Sequence, residues 1–447
     1  MLALLQQFID LGAIVVLPIL IFIFGMLLGT PAKKSFQAGL TVGIGFVGLG
    51  LVVQLLTGSL GEAAQQMVER FHLSLTTIDV GWPAAAAISY GTLLGSLAIP
   101  IGIGINILLL FLGWTKTLMV DMWNFWHAAF VASLVYAVTH SFALGLYAIA
   151  SYMVMIYFLA DIIAPAVKKF YGFPNITFPH GTSAPGFIVA LPLNWLFDRI
   201  PGFNKVEADP ETIQKKFGIF GESTVMGLLI GILIGLFAGY DVQNILQLGV
   251  KTSAVMVIMP RMVALLMEGL TPISEAANQF VQKRFPGREV NIGMDSALSV
   301  GHPAVLSSSL LLVPITILLA VILPGNVTLP FGDLATIPFV VCLMAAVFRG
   351  NIVRTVVGGT IYMISILYIT SWAAPLVTSA AKAAKFNLEG HSSITAMAEG
   401  GLWPTGLFIF AANNLPWAVL TGVLVVSLAG LYYINKMKPT KEMESIK

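Results

Sequence analysis

The sequence predicts an all-α polytopic membrane protein: about eleven transmembrane helices in two inverted repeats, with re-entrant hairpins and interfacial amphipathic helices. Three observations carry this prediction. Of 447 residues, 57% are hydrophobic and only 10% charged, with a mean hydropathy of +0.90. Soluble domains carry about 25% charged residues, and a single globule cannot enclose so much apolar surface. Second, "EAAQQMVERF" at 62–71 recurs as "EAANQFVQKRF" at 275–285. Allowing one inserted residue, seven of ten positions match: Glu62 with Glu275, Ala63 with Ala276, Ala64 with Ala277, Gln66 with Gln279, Val68 with Val281, Arg70 with Arg284 and Phe71 with Phe285. Third, "VGWPA" at 80–84 follows the first copy and "VGHPA" at 300–304 follows the second. Each set comes after two apolar runs.

The elements follow in order. A spanning helix needs about 20 mostly apolar residues. Runs near 11–29, 36–56, 99–114, 122–140, 143–165, 222–239, 243–266, 305–324, 334–348, 352–375 and 411–434 qualify. The first lacks a basic leader and a small-residue cleavage site, so it reads as a span and not as a signal peptide. Segments 80–98, 174–197, 292–304 and 325–333 are too short or too broken by Gly, Pro and polar residues to span simply. Irregular backbone at membrane depth is tolerated only where it is packed in protein or lines a polar cavity. Such broken segments point to a transporter's binding site. The organisation expected is a first repeat at 1–165, a cytoplasmic-side linker at 166–221 that includes "PHGTS", a second repeat at 222–434, and a cytoplasmic tail at 435–447.

Cytoplasmic loops are rich in Lys and Arg. In the first half, Lys33 and Lys34 follow the first span, and Glu62, Glu69 and Arg70 follow the second. In the second half the signs reverse: Asp241 follows the first span, and Lys283, Arg284 and Arg288 follow the second. The same element then faces outside in one half and inside in the other, with the N-terminus outside. The lysines of the C-terminal tail favour the cytoplasm, as do Lys168, Lys169, Arg199, Lys205, Lys215 and Lys216 of the linker. The two "EAA" segments are expected as amphipathic helices at opposite interfaces. The two "VG-PA" turns are expected to open the re-entrant hairpins, because Gly permits a tight turn and Pro starts a helix without needing a donor.

Intramembrane ionisable residues are functional candidates. "DMWNFWH", 121–127, places Trp123 and His127 one helical turn apart with Asn124 between them. Aromatic faces beside polar donors suit a sugar-like ligand; an interfacial aromatic belt is the other reading for Trp123 and Trp126. "FPHGTSAPG", 178–186, offers His180, Thr182 and Ser183, unless it is a solvated loop. "NIGMDSALSVGHPAV", 291–305, offers Asp295 and His302. "PGNVTLPFGDLAT", 324–336, offers Asn326 and Asp333, and Asp79 precedes the first hairpin. His140 reads as a packing residue. The lone cysteine, Cys342, excludes an intrachain disulfide and a cysteine metal cluster. No metal ligand set, cofactor or phosphate-binding G-x-x-x-x-G-K-[ST] loop is found, and a net charge of +2 gives no pointer to nucleic acid.

Longer motifs carry a resemblance. "GLTVGIGFVGLGLV", "DVGWPA", "WNFWH", "PHGTSA", "QKKFGIFGE", "FAGYDVQNILQLGVKTSAVM", "LPFGDLATI" and "RGNIVRT" closely resemble galactitol-type enzyme IIC components of the bacterial phosphoenolpyruvate-dependent sugar phosphotransferase system, relatives of the ascorbate-type enzyme IIC transporters. The resemblance covers nearly the whole chain. It implies a homodimer of two inverted repeats in the inner membrane, in contact with membrane lipid. It implies a polyol or sugar captured outside, carried inward and phosphorylated by a phosphocysteine on a separate enzyme IIB, with enzyme IIA upstream. By position it implies substrate contacts from Asp79, Trp82, Trp123, Asn124, His127, His180, Thr182, His302, Gly332 and Asp333. Asp295 is then the catalytic carboxylate that orients or deprotonates the hydroxyl. A proton-coupled secondary transporter, with Asp295 or Asp333 as the proton site, is the alternative.

Overall fold

A computed structural model describes residues 13–70, 75–121, 123–212, 222–284, 289–330, 332–384, 386, 388 and 392–437. The tail beyond 437, Lys215, Lys216, Arg288, Phe71 and Phe285 lie outside the described residues. The described residues are predominantly helical. Among the described residues seven helices are long and apolar enough to cross a membrane: Ala32–Val52, Leu93–Leu112, Phe142–Tyr171, Val242–Met259, Pro303–Ile322, Ile352–Ala383 and Pro416–Met437. Four apolar helices are shorter: Trp126–Thr139, Ala184–Phe197, Gly227–Ala238 and Leu334–Val347. A 14-residue helix is about 21 Å long, less than the ~30 Å hydrocarbon core. Trp126–Thr139, expected as part of a span at 122–140, is one of these shorter helices. The run expected at 411–434 is broken at Asn414–Leu415, between helices Trp403–Asn413 and Pro416–Tyr432.

Helices α1 (Ala13–Leu27), α2 (Ala32–Arg70), α8 (Ser223–Ala238) and α9 (Val242–Arg284) pack together; the intervening numbers fall to the elements below. The 39-residue α2 and 43-residue α9 run antiparallel. Ser59, Glu62 and Gln66 of late α2 line one polar cleft with Asn244, Gln247 and Lys251 of early α9. At the other end, a Cβ on Gly269 of α9 would meet the Ala38 carbonyl and Val42 of α2. The two "EAA" segments are therefore not separate surface helices. Each is the continuous C-terminal end of a long helix. Arg70 there donates to the carbonyls of Leu236 (2.8 Å) and Phe237 (3.1 Å), closing the C-terminus of α8.

The remaining elements form a second body around two small parallel sheets. Strand β1 (Thr77–Asp79) lies between β5 (Thr328–Leu329) and β6 (Ile394–Thr395). Strand β4 (Asn291–Gly293) lies between β2 (Thr117–Met119) and β3 (Ile176–Thr177). Each central strand thus pairs with two strands from the opposite half of the chain. Strands β3 and β5 and most of β4 lie in the segments expected to be broken, 174–197, 325–333 and 292–304, while β1, β2 and β6 lie outside them. The strands are largely buried, and their peptide groups are satisfied by pairing, as a low-dielectric surrounding requires.

Every strand feeds a helix. After β1 come α3 (Gly81–Tyr90) and α4 (Leu93–Leu112); after β2, a 3-10 turn (Trp123–Phe125), α5 (Trp126–Thr139) and α6 (Phe142–Ala166); after β3, α7 (Ala184–Phe197). After β4 come α10 (Ala297–Val300) and α11 (Pro303–Ile322); after β5, a 3-10 turn (Leu334–Thr336), α12 (Ile337–Val347) and α13 (Ile352–Ala383); after β6, α14 (Met397–Gly400), α15 (Trp403–Asn413) and α16 (Pro416–Tyr432). Side-chain caps mark the starts: Thr92 accepts from the Gly95 amide at 3.0 Å and Asn351 from the Arg354 amide at 2.9 Å. The segment expected as a linker carries β3 and α7, and α7 packs on α12.

The two "VG-PA" turns are not equivalent. Gly81 opens α3 directly after β1 with φ of +79°, while Gly301 has φ of −71° and sits between α10 and α11. By element order Gly301 corresponds to Gly91, between α3 and α4. The matched pentapeptides occupy different steps of the chain.

Candidate functional site

Strand ends and the turns after them bring the polar candidates into two constellations. The first forms where β1, β5 and β6 end. Asp79 Oδ1 accepts the amides of Gly81 (3.1 Å) and Met397 (2.9 Å), and Oδ2 accepts that of Asp333 (2.8 Å). Asp333 Oδ1 accepts the Trp82 amide (2.8 Å) and the Thr336 hydroxyl (3.1 Å), and Oδ2 accepts the Ala398 amide (2.8 Å). Gly332 donates its amide to the Asp79 carbonyl at 3.0 Å. Two buried carboxylates thus clamp the starts of α3, the 334–336 turn and α14. Negative charge at helix N-termini is favourable, and all four carboxylate oxygens are engaged by this chain's own donors. The Trp82 ring is half-buried beside them.

The second constellation forms where β2, β3 and β4 end. Asp295 Oδ1 accepts the Ala297 amide at 2.7 Å, the same two-residue step that Asp79 makes. Its Oδ1 lies 3.6 Å from His180 Nε2. Asn124 donates its amide to Asp121 Oδ2 (2.5 Å) and to Asp295 Oδ2 (3.2 Å), bridging two carboxylates. Ser183 meets Ser296 hydroxyl to hydroxyl at 2.6 Å and His180 Nδ1 at 3.5 Å. The His127 ring packs edge-on against His180, centroids 4.9 Å apart, and Phe339 stacks on the far side of His180 at 5.9 Å. Glu399 places Oε2 2.6 Å from His127 Nδ1 and Oε1 3.4 Å from the Tyr152 hydroxyl. Unlike Asp333, which is wholly buried, the Asp295 side chain keeps 16% of its surface exposed.

The structure therefore gathers Asn124, His127, His180 and Asp295 into one cluster, with Thr182 buried on the same turn as His180. It sets Asp79, Trp82, Gly332 and Asp333 apart, in the clamp. His302 joins neither: its Nδ1 accepts the Ala304 amide at 3.2 Å as the cap of α11, and its ring stacks on Phe170 at 4.5 Å. Trp123 opens the 3-10 turn before α5; its side chain lies outside the described residues. His140 closes α5 in a left-handed conformation (φ 50°), donating its amide to the Tyr136 carbonyl. Asn326 holds its own loop through the carbonyls of Ala320 and Thr328.

Sequence reading missed Asp121, Tyr152, Ser296 and Glu399. Asp121 had a signal in plain view. "TLMVDMWN" and "TLPFGDLAT" each run strand, aspartate, 3-10 turn, with a side-chain donor three residues on: Asn124 to Asp121, Thr336 to Asp333. The one-residue insertion at Gly332 hides the match. Glu399 had a weaker signal, a lone acid in the Gly-broken "AMAEGG".

The second constellation suits hydroxyl recognition, since Asp295 is partly open while the oxygens of Asp79 and Asp333 are taken. Carboxylates, imidazoles, an amide and hydroxyls offer many donors and acceptors within a few ångström, flanked by aromatic faces. Among the described residues no group of three potential metal ligands stands close enough to hold an ion.

The family model EIIC-GAT, described as a PTS system sugar-specific permease component, matches residues 7–390. The chain is 42% identical over 424 residues, 94% of each sequence, to the PTS system galactitol-specific EIIC component of Escherichia coli (strain K12), and equally so to that of Escherichia coli O157:H7. It is 37% identical over 398 residues, 88% of this chain and 90% of the relative, to a putative permease IIC component of strain K12. With most of its length matched and a helical architecture built to cross the bilayer several times, this chain belongs to the EIIC-GAT family of membrane transport subunits of the sugar phosphotransferase system.

Proposed function

We propose that this chain binds galactitol or a closely similar polyol from outside and carries it across the inner membrane for phosphorylation by the phosphocysteine of a separate enzyme IIB. The observation that carries the reading is the Asp295 carboxylate, partly open, with His180 and Asn124 on its two oxygens. A polyol hydroxyl is a weak nucleophile at neutral pH. In the transfer, its oxygen bonds to phosphorus, its proton passes to Asp295, and the sulfur–phosphorus bond breaks to leave a cysteine thiolate on the partner. A positioned base is typically worth ~10²–10⁴-fold. Asn124, His127, His180 and Thr182 hold the other hydroxyls. Asp79 and Asp333 act indirectly, by fixing the helix starts around the site. Cys342 is fully buried and its thiol donates to the Phe339 carbonyl, which supports placing the phosphorylated cysteine on the partner.

The architecture we infer around this site is a homodimer of two inverted repeats, with about eleven membrane crossings, N-terminus outside and C-terminus in the cytoplasm. The reciprocal strand exchange and the opposed "EAA" ends support the repeat.

Uptake of labelled galactitol into vesicles tests the function. Product recovered as phosphate, only when the soluble phosphate donors are supplied, is the expected result. Free galactitol accumulated in a way that an uncoupler abolishes would instead make the chain a proton-coupled carrier.

A further inference from the structure

Glu399 is a fully buried acid beside the site, with no part in the proposed transfer. It follows Met397 and Ala398, whose amides are held by Asp79 and Asp333. The clamp therefore fixes where the Glu399 side chain departs. That side chain has no exposed surface, and it reaches His127 Nδ1 at 2.6 Å and the Tyr152 hydroxyl at 3.4 Å. On the far side the turn at Gly181 closes in. A Cβ there would stand 2.6 Å from both His127 Nδ1 and the Tyr152 oxygen, so a residue without a side chain lets the backbone pack against the pair. His127 Nε2, by contrast, is buried with no hydrogen-bond partner among the described residues.

An unsatisfied buried nitrogen costs about 1–3 kcal/mol. Such groups are rare in native structures and call for a reason. A carboxylate can only accept hydrogen bonds. With Glu399 ionised, Nδ1 carries the ring proton, and Nε2 of the neutral ring is left with a lone pair. We propose that Glu399 is a positioning residue: it holds His127 with Nδ1 protonated, so that Nε2 is presented as the acceptor for one hydroxyl of the substrate. This rests on the polyol reading above and adds a residue to it. A hydroxyl supplies the donor that Nε2 lacks. A ligand without one at that place leaves the nitrogen unsatisfied, so the pair also selects for hydroxylated ligands.

The test is a double-mutant cycle on galactitol affinity, measured by equilibrium binding to the purified full-length protein, with thermal unfolding as a control. Glu399→Gln is expected to weaken binding about 10–100-fold, the range for a lost charge-assisted hydrogen bond. His127→Gln is expected to weaken it at least as much. The double variant should be no worse than His127→Gln alone, because Glu399 acts only through that ring. Wild-type affinity in Glu399→Gln overturns the proposal, and so do strictly additive losses. If the Glu399 variants fail to fold, ¹⁵N-histidine NMR of the wild-type protein decides the matter, with the His127 signal assigned by its absence in His127→Gln. An Nδ1-protonated neutral ring supports the proposal, and an Nε2-protonated ring overturns it. Failure of the wild type to bind any polyol would sink the parent reading, while the spectrum would still judge the Glu399–His127 pair.

Discussion

Asp79 and Asp295 begin alike: each accepts the amide two residues further on, at 3.1 and 2.7 Å. They end differently because of what meets the remaining lone pairs. Asp79 and Asp333 are filled by five backbone amides and the Thr336 hydroxyl, four of the six donors coming from distant parts of the chain. Asp295 faces side chains only: His180 and Asn124. An asparagine at 295 keeps the acceptor for Ala297 and loses the base. Asp295→Asn should therefore fold, bind galactitol within a few-fold of wild type, and lose phosphorylation by about 10²–10⁴-fold. Phosphorylation at the wild-type rate would move the base elsewhere. An asparagine at 333 must turn an NH2 toward the Trp82 or the Ala398 amide, leaving a buried donor without an acceptor. Asp333→Asn should cost about 1–3 kcal/mol, read as a lowered unfolding midpoint in detergent with and without ligand. Unchanged stability would contradict the clamp. Sequence reading could select all three aspartates, since Asp295 and Asp333 lie in broken apolar segments and Asp79 directly precedes one. It could not sort them, because the donors that consume Asp79 and Asp333 come from residues 397 and 398, more than 60 positions from either.

At the scale of elements, identity of letters misled and equivalence of steps was hidden. "VGWPA" and "VGHPA" share four of five residues and do different work. Gly81 adopts φ +79° where α3 meets the 332 turn, and a Cβ on it would stand 3.0 Å from the Gly332 carbonyl oxygen. Gly301 has an ordinary helical φ of −71°. Gly81→Ala should thus add strain of about 1–3 kcal/mol at the element that the clamp holds, lowering both stability and transport. The φ of Gly301 imposes no such strain on Gly301→Ala. Equal losses in the two variants, measured as uptake per folded protein, would remove the conformational argument. The true correspondence, "TLMVDMWN" with "TLPFGDLAT", tolerates Asn for Thr and one inserted residue, since its role needs only a strand, a carboxylate and a donor at the third position. Apolar length alone picked out the long helices; seven among the described residues are long enough to cross, fewer than the eleven expected. The short helices were less legible: a 14-residue apolar helix and a full crossing have the same composition until the strand before it is seen.

For the whole molecule, the antiparallel α2–α9 pair relates the two halves most directly. Late α2 lies beside early α9 around the Glu62–Lys251 cleft, and early α2 lies beside late α9 at Ala38 and Gly269. The two "EAA" copies consequently sit at opposite ends of one helix pair. At 1.5 Å per residue, α2 is about 58 Å long, nearly twice the hydrocarbon thickness. Both its ends must reach beyond the apolar core if it crosses steeply. From the reversed charge of the two copies we propose an orientation: Glu62, at an acidic end, outside, and Lys283, at a basic end, in the cytoplasm. Both positions are exposed, and Cys342, the chain's one thiol, is buried. On a Cys342→Ala background, a cysteine replacing Glu62 should react with an impermeant maleimide added to intact cells. One replacing Lys283 should react only after the membrane is opened. Labelling of both from the same side would contradict a transmembrane α2–α9 pair, and with it the inverted repeat. Labelling with the sides exchanged would keep the repeat and reverse the orientation, placing the substrate's entry at the opposite end of the site.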